Sequence, residues 1–538
     1  MMDYFSAYKA VPTRIPTYFI ESTAPNNVDD VAPTPKVVDP DLAWIDSDQA
    51  VREIAAALSE GQDPNLVVMV HGFNNPQPDV LRTYKAAARA IHADGQIKSG
   101  QGLVCVGYRW PSEKMGQPIR GTWDALPTLP TWVLYLGAAI VLLSFPLFYF
   151  ASETKQWWID RFRYVWNPEG VHLITLLGWT VAGLVLTAAL LRTIVYFRDN
   201  YRASNYGVPD LIQIIRAIDG EIVKLRRDRK DSHPHRRDVQ LSFIGHSMGG
   251  FVVTNTIRTL SDVFAVPVES LSAYGAHARP DVGLESPPLS QIGNVFRLMR
   301  FVLASPDIPA ETLLSSRGNF LASALSRFEE AYLFSNEGDE VLRQISTLAN
   351  YFVFPTNSRN HGFRLGNVEI LSSNFGLIHV KTKDFLGVLR IGNKTLQELY
   401  DALEDAKAKR NRGRAPAPTQ ASLPMAFTYF DCTDYVDCEQ GGGPERPMLT
   451  FSKWRKRRDR QARLHWYSHL YLLFAYVAYG QKPNVHGGYF EGKFSQELIY
   501  RLACLGYQNT IAAYHGGAAL WDECERRRIR VLVSPKLP

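Results

Sequence analysis

Val239-Gln240-Leu241-Ser242-Phe243-Ile244-Gly245-His246-Ser247-Met248-Gly249-Gly250 is the stretch on which the fold turns. Val239 to Ile244 reads as a buried strand, and Gly249 to Leu260 carries apolar residues at helical intervals. Between them lies the pattern G-x-S-x-G. A serine on so short a strand-to-helix turn needs small residues two before and two after it, so that the backbones can pass closely. Its hydroxyl then stands at the edge of a sheet beside a helix N-terminus. The pentapeptide alone is common, and an ordinary glycine-rich turn also satisfies it. The strand-turn-helix setting and the additional Gly250 favour a nucleophile at Ser247.

The flanking sequence continues the alternation. Asn65 to Val70 is a short β-branched apolar run that stops at His71-Gly72 and reads as a parallel strand. Asp79 to Ala93 has helical spacing, and Leu103 to Tyr108 is a strand closed by Trp110-Pro111. Asp210 to Arg227 is helical, and Phe301 to Ala304, Ala331 to Phe334 and Phe427 to Phe430 are further strands. Strands alternating with helices predict an α/β fold with a mainly parallel sheet covered on both faces. The expected divisions are residues 1–110, an insertion over 111–204, a core over 205–403, a polar linker over 404–421 and a C-terminal part over 422–538.

Two runs of 21 residues, Thr131 to Ala151 and Val171 to Leu191, contain no Asp, Glu, Lys or Arg. As helices each is about 31 Å long, enough to cross a hydrocarbon core of about 30 Å. Trp132, Trp157, Trp158 and Trp166 fall near the ends, where an aromatic belt belongs. A pair of buried helices in a cap is the soluble alternative, but such helices seldom go so long without a charge. The short connector, Ser152 to Gly170, makes the pair a hairpin with the rest of the chain on one side. The connector carries three Lys/Arg and the outer flanks five, which favours the main domain on the cytoplasmic side.

Composition narrows the classes. Apolar residues at 46% support a sizeable core, and charged residues at 21% exclude a disordered chain. A net charge of +6 over 538 residues, with only short basic clusters, gives no reason to expect nucleic acid. The cluster from Lys453 to Arg463 reads as a solvated helix face, or one facing lipid headgroups. Cys105, Cys432, Cys438, Cys504 and Cys524 form no C-x-x-C pair, so neither a disulfide framework nor a thiolate zinc site is expected. Met1 to Ile20 lacks the basic-then-apolar pattern of a signal peptide.

A tetrahedral oxyanion needs two converging backbone N–H groups. One is expected from Met248, after the nucleophile, and the other from the loop His71-Gly72-Phe73-Asn74-Asn75, at Phe73.

On these motifs the chain resembles the α/β-hydrolase superfamily. In particular it is similar to a mostly bacterial family of uncharacterised function with H-G-[YF]-N, W-P-S, H-S-M-G, an A-P-D-like strand end and a later S-x-x-D. Here these are His71-Gly72-Phe73-Asn74, Trp110-Pro111-Ser112, His246-Ser247-Met248-Gly249, Ala304-Ser305-Pro306-Asp307 and Ser335-Asn336-Glu337-Gly338-Asp339. The last has one inserted residue. The resemblance spans about 65–110 and 205–500 and omits the hydrophobic hairpin.

The superfamily orders its triad Ser, then acid, then His. Asp339, after the second strand beyond the nucleophile's, is the expected acid; Asp307 is the alternative and Glu337 a third candidate. The histidine must follow the last strand, Phe427 to Phe430. His486, in a glycine-bearing loop before a helix, is preferred over His465, His469 and His515, while His361 and His379 come too early. The resemblance thus implies a serine esterase or lipase that requires no metal or organic cofactor. Because the hairpin follows the strand ending at Tyr108 on the active-site edge, the expected substrate is an acyl ester of a lipid at a membrane, with a soluble ester as the alternative. A membrane protein that uses the same fold only as an interaction platform is the non-catalytic alternative.

Overall fold

The computed structural model describes residues 5–10, 14–26, 39–98, 102–112, 194–260, 295–313, 320–325, 327–346, 364–371, 374–383, 389–395, 426–439, 442–450, 464, 468, 471–472, 483–535 and 537. The chain divides into two units, Met1–Ser112 with Asp199–Pro538, and Glu113–Arg198. Of the second only 194–198 are described. The two proposed spans, 131–151 and 171–191, therefore lie outside the described residues, as do the expected linker 404–421 and the basic stretch 453–463. Among the described residues no helix is long and apolar enough to cross a membrane.

The strands of the first unit are β1 (Phe5–Ala10), β2 (Thr17–Ser22), β3 (Leu42–Ile45), β4 (Asn65–Val70), β5 (Leu103–Arg109), β6 (Val239–His246), β7 (Phe296–Ala304), β8 (Glu330–Ser335), β9 (Glu369–Leu371), β10 (Asn374–Lys383), β11 (Leu389–Thr395), β12 (Phe427–Asp431), β13 (Val436–Asp437), β14 (Arg446–Pro447) and β15 (Arg530–Leu532). Ten of them form one sheet in the order β15-β12-β8-β7-β6-β4-β5-β2-β1-β3. From β12 to β2 the neighbours run parallel. Only the margins are antiparallel: β15 against β12, and β1 against β2 and β3. The class is α/β with a large, mostly parallel sheet. Strands β9 to β11 make a separate antiparallel sheet, and β13 pairs with β14.

The helices are α1 (Ser47–Glu60), α2 (Gln77–Ala93), α3 (Val208–Asp228), α4 (Met248–Thr259), α5 (Phe320–Leu325), α6 (Lys493–Leu505), α7 (Tyr507–Ala513) and α8 (Gly517–Arg526). One face of the sheet carries α1, α3, α4 and α5 in succession, and the other carries α2 against α6. The Asp46 carboxylate caps α1, accepting from the N–H groups of Asp48 (3.1 Å) and Gln49 (3.3 Å). Both faces of β4 and β6 are covered, so β4 is buried at all six positions. At about 1.5–3 kcal/mol per large apolar side chain, strands of this kind anchor the core. Tyr84 of α2 locks the sheet's centre: its hydroxyl reaches the carbonyls of Met69 (3.1 Å) and Tyr108 (2.6 Å). Gly107 makes room for that ring, since a Cβ there would lie 2.5 Å from it.

Three expectations need correction. Phe427 begins the last parallel strand but not the last strand, because β15 adds antiparallel to it. β7 begins at Phe296 rather than Phe301; Arg297 and Arg300 interrupt the apolar run, and Arg300 is nonetheless buried against the Cys504 carbonyl (3.2 Å). The N-terminal β1, β2, β3 and α1 were not anticipated at all. The topology matters most at β4, whose sequential neighbour β5 lies on one side while β6 lies on the other. A crevice opens beyond the carboxyl ends of the strands where the winding reverses. Here that point is flanked by His71 and Ser247.

Candidate active site

Ser247 occupies the hinge between β6 and α4 at φ 53° and ψ −123°. This region is costly for any residue with a side chain. The turn is held from three sides. Ser247 N–H donates to the Ala304 carbonyl (3.0 Å), and its own carbonyl accepts from Gly250 (3.0 Å) and Asp307 (3.0 Å). The neighbouring backbones pass as closely as the glycines allow. A Cβ on Gly249 would lie 2.1 Å from the Val70 carbonyl oxygen, and one on Gly245 would lie 2.7 Å from the Cα of Gly250. Gly72 is as tight, with Ser247 Cβ 2.7 Å from its would-be Cβ.

Asp339 is wholly buried on the turn after β8 and accepts from His486 Nδ1 at 2.7 Å. Nδ1 therefore carries the proton of the neutral ring, and Nε2 has the lone pair. The same carboxylate oxygen accepts from the Ser305 hydroxyl, and the other accepts from the Leu342 N–H at 3.1 Å. Among the buried polar atoms left without a hydrogen-bond partner are Ser247 Oγ and His486 Nε2. Burial pushes the His486 imidazole down, but the charge and hydrogen bond of Asp339, with the charge of Asp307, outweigh it and raise the group above its ordinary value.

The structure separates the three candidate acids. Asp339 reaches His486. Asp307 instead faces the Arg364 guanidinium (3.2 Å) and the Ser346 hydroxyl (3.0 Å), while its N–H braces the Ser247 turn. Glu337 accepts from the Leu464 N–H at 3.1 Å. Among the candidate histidines, His515 is exposed at φ 63° between α7 and α8. His379 lies within β10, and His361, His465 and His469 fall outside the described residues. Met248 is the first residue of α4, where an N–H has no acceptor one turn back. Phe73 is nearly buried, its ring edge-on to His486 with centroids 6.4 Å apart.

Several supporting side chains were not singled out as site residues from sequence. Asn336 donates from Nδ2 to the Val485 carbonyl (2.7 Å), and His246 reaches the very next carbonyl, that of His486, from Nε2 (3.1 Å). Burial and the neighbouring His486 depress His246 to about 3, so it stays neutral as a donor. Asn484 closes the same loop by accepting from Gly487 N–H at 2.8 Å. Their only sequence signal was position: His246 and Asn336 stand inside motifs already noted, and Asn484 two residues before His486. His71 packs flat on Trp110, with ring centroids 4.9 Å apart, and Trp110 Nε1 donates to the His71 carbonyl (2.9 Å). All five cysteines are unpaired thiols.

Comparison with family models, with curated proteins and with solved structures returns no match for this chain. The functional reading therefore rests on the site's own geometry.

Proposed function

We propose that the protein is a serine hydrolase of the α/β-hydrolase type that cleaves an acyl ester. The supporting observation is the arrangement at the end of β6: a buried, unpartnered serine hydroxyl on a strained turn, and a histidine whose far nitrogen is bonded to a buried carboxylate. Buried polar groups are nearly always hydrogen-bonded, and exceptions call for a reason such as catalysis. The strand-turn-helix context and the order Ser247, Asp339, His486 agree with the superfamily.

In this reading Ser247 Oγ attacks the acyl carbonyl carbon while His486 Nε2 takes the hydroxyl proton. The carbonyl oxygen becomes an oxyanion held by the N–H groups of Met248 and Phe73. Collapse breaks the bond to the leaving alcohol, which receives the proton from His486. Water then enters by the same path in reverse and releases the acid, restoring Ser247. Asp339 fixes the ring and offsets its transient charge. The uncharged runs at 131–151 and 171–191 support a membrane anchor with the hydrolase unit on the cytoplasmic side, and hence a lipid ester as substrate.

The test is labelling of the full-length protein with a fluorophosphonate, which reacts only with activated serines, followed by a screen of lipid esters. Wild type should label and Ser247→Ala should not. A wild-type protein inert to the probe and to every ester would leave the non-catalytic platform as the better account.

A further inference from the structure

The loop that carries the Phe73 N–H hangs on side chains that the proposed triad does not use. Asn74 follows Phe73 at φ 60°, a left-handed backbone that a residue other than glycine enters only when held there. Its N–H donates to Asp199 Oδ2 at 2.8 Å, and the next N–H, of Asn75, donates to Ser112 Oγ at 3.2 Å. Ser112 Oγ in turn donates to Asp199 Oδ2 at 2.7 Å. The other oxygen, Asp199 Oδ1, accepts from Arg202 Nη1 at 2.9 Å, and Arg202 Nε donates to the Asn26 carbonyl. Asp199 and Ser112 are wholly inaccessible to solvent and Arg202 nearly so.

A buried ion pair is a poor way to stabilise a fold, because removing both charges from water offsets most of their attraction. What it does provide is fixed geometry. A carboxylate oxygen that receives one backbone N–H and one hydroxyl, while its twin is pinned by a guanidinium, leaves the loop one position. We infer that Asp199 and Ser112 are positioning residues that hold the Phe73 N–H where an oxyanion develops on the substrate. This assigns a role to the W-P-S segment, whose serine has no other evident task, and to an aspartate with no sequence signal. The inference rests on the serine-hydrolase reading.

The experiment uses full-length protein in detergent and the variants Ser112→Ala and Asp199→Ala. It measures kcat and KM on a short-chain p-nitrophenyl ester, affinity for an alkylboronic acid that forms a tetrahedral adduct with the serine, and the melting temperature. Misplacing one oxyanion donor should lower kcat by about tenfold in Ser112→Ala and on the order of a hundredfold in Asp199→Ala, with KM nearly unchanged. Boronate affinity should fall in parallel with kcat, because both report tetrahedral geometry. A loss of melting temperature alone, with kcat and boronate affinity kept where the variant is folded, would overturn the inference. If Asp199→Ala does not fold, Ser112→Ala decides, since it leaves the Asp199–Arg202 pair intact. A wild type inert to ester and fluorophosphonate removes the hydrolase reading and this inference together. An active wild type with unimpaired variants removes only the inference.

Discussion

Two buried aspartates, one bonded to His486 and the other bracing the Ser247 turn through its N–H, do different work, and substitution separates them. Asp339→Asn keeps the shape but loses the charge that fixes the His486 tautomer, so kcat should fall by roughly three to four orders of magnitude with little change in melting temperature. Asp307→Asn removes a negative charge facing a guanidinium that is itself 5% exposed, which should cost about 3–5 kcal/mol of stability and leave the triad contact in place. Parallel thermal melts and rate measurements check this, and the reverse pattern would make Asp307 the catalytic acid. The raised His486 gives a pH signature as well. Catalysis needs the neutral ring, so kcat/KM should drop as pH falls through a midpoint above the ordinary histidine value of about 6.5. Stability runs the other way. A pKa raised on folding contributes fully below the ordinary value and is lost as pH rises through the raised one. A pH–rate profile with an acid limb well below 6.5 would contradict the assigned pairing.

At the scale of elements, the packing of α4 against β4 is the least forgiving contact. Gly249→Ala places a methyl group 2.1 Å from the Val70 carbonyl oxygen, whereas Gly95→Ala meets nothing within 4 Å. The first should destabilise by more than about 1–3 kcal/mol and the second hardly at all, as denaturant melts would record. A tolerated Gly249→Ala would mean that the elbow is looser than its geometry. The same close approach explains why this element was legible in sequence: the flanking glycines stand between a buried strand and a helix, with Gly250 added, and that setting narrows an otherwise common pentapeptide. The strands β4, β5, β6, β8 and β12 were legible because both faces are buried, which leaves continuous apolar runs. β3 was not, since it is the edge strand and has exposed positions such as Trp44, and β2 was missed although all six of its positions are buried, because Thr17, Glu21 and Ser22 break its apolar run. The choice of Asp339 over Asp307 followed from strand order. Asp199 and Arg202 could not be found that way, because they meet the Asn74 loop across a long stretch of chain and belong to no pattern.

For the whole molecule, the insertion leaves and re-enters at a single place. Ser112, which ends one segment of the main unit, is hydrogen-bonded to Asp199, which begins the next. A short Gly/Ser bridge in place of 131–191 should therefore close without disturbing the sheet. The shortened protein should resist carbonate extraction no longer, and should lose more activity on vesicle lipid than on a soluble ester. Equal loss on both substrates would make the insertion a general cap. A full-length protein that carbonate extracts would mean that the two runs do not span a bilayer.

The backbone at Ser247 has a consequence on the timescale of descent. At φ 53° glycine would sit without steric penalty, so the chain carries a serine there at a cost to its own durability. Proteins are seldom at their stability optimum, and the recurrent cost of a stabilising substitution is lost activity where function needs a strained site. In a lineage that kept this fold merely as a scaffold, exchange of that serine for glycine would be a gain within easy mutational reach, a single base change from two of the six serine codons. Relatives that serve only as a scaffold should therefore carry glycine at this position more often than relatives that hydrolyse an ester.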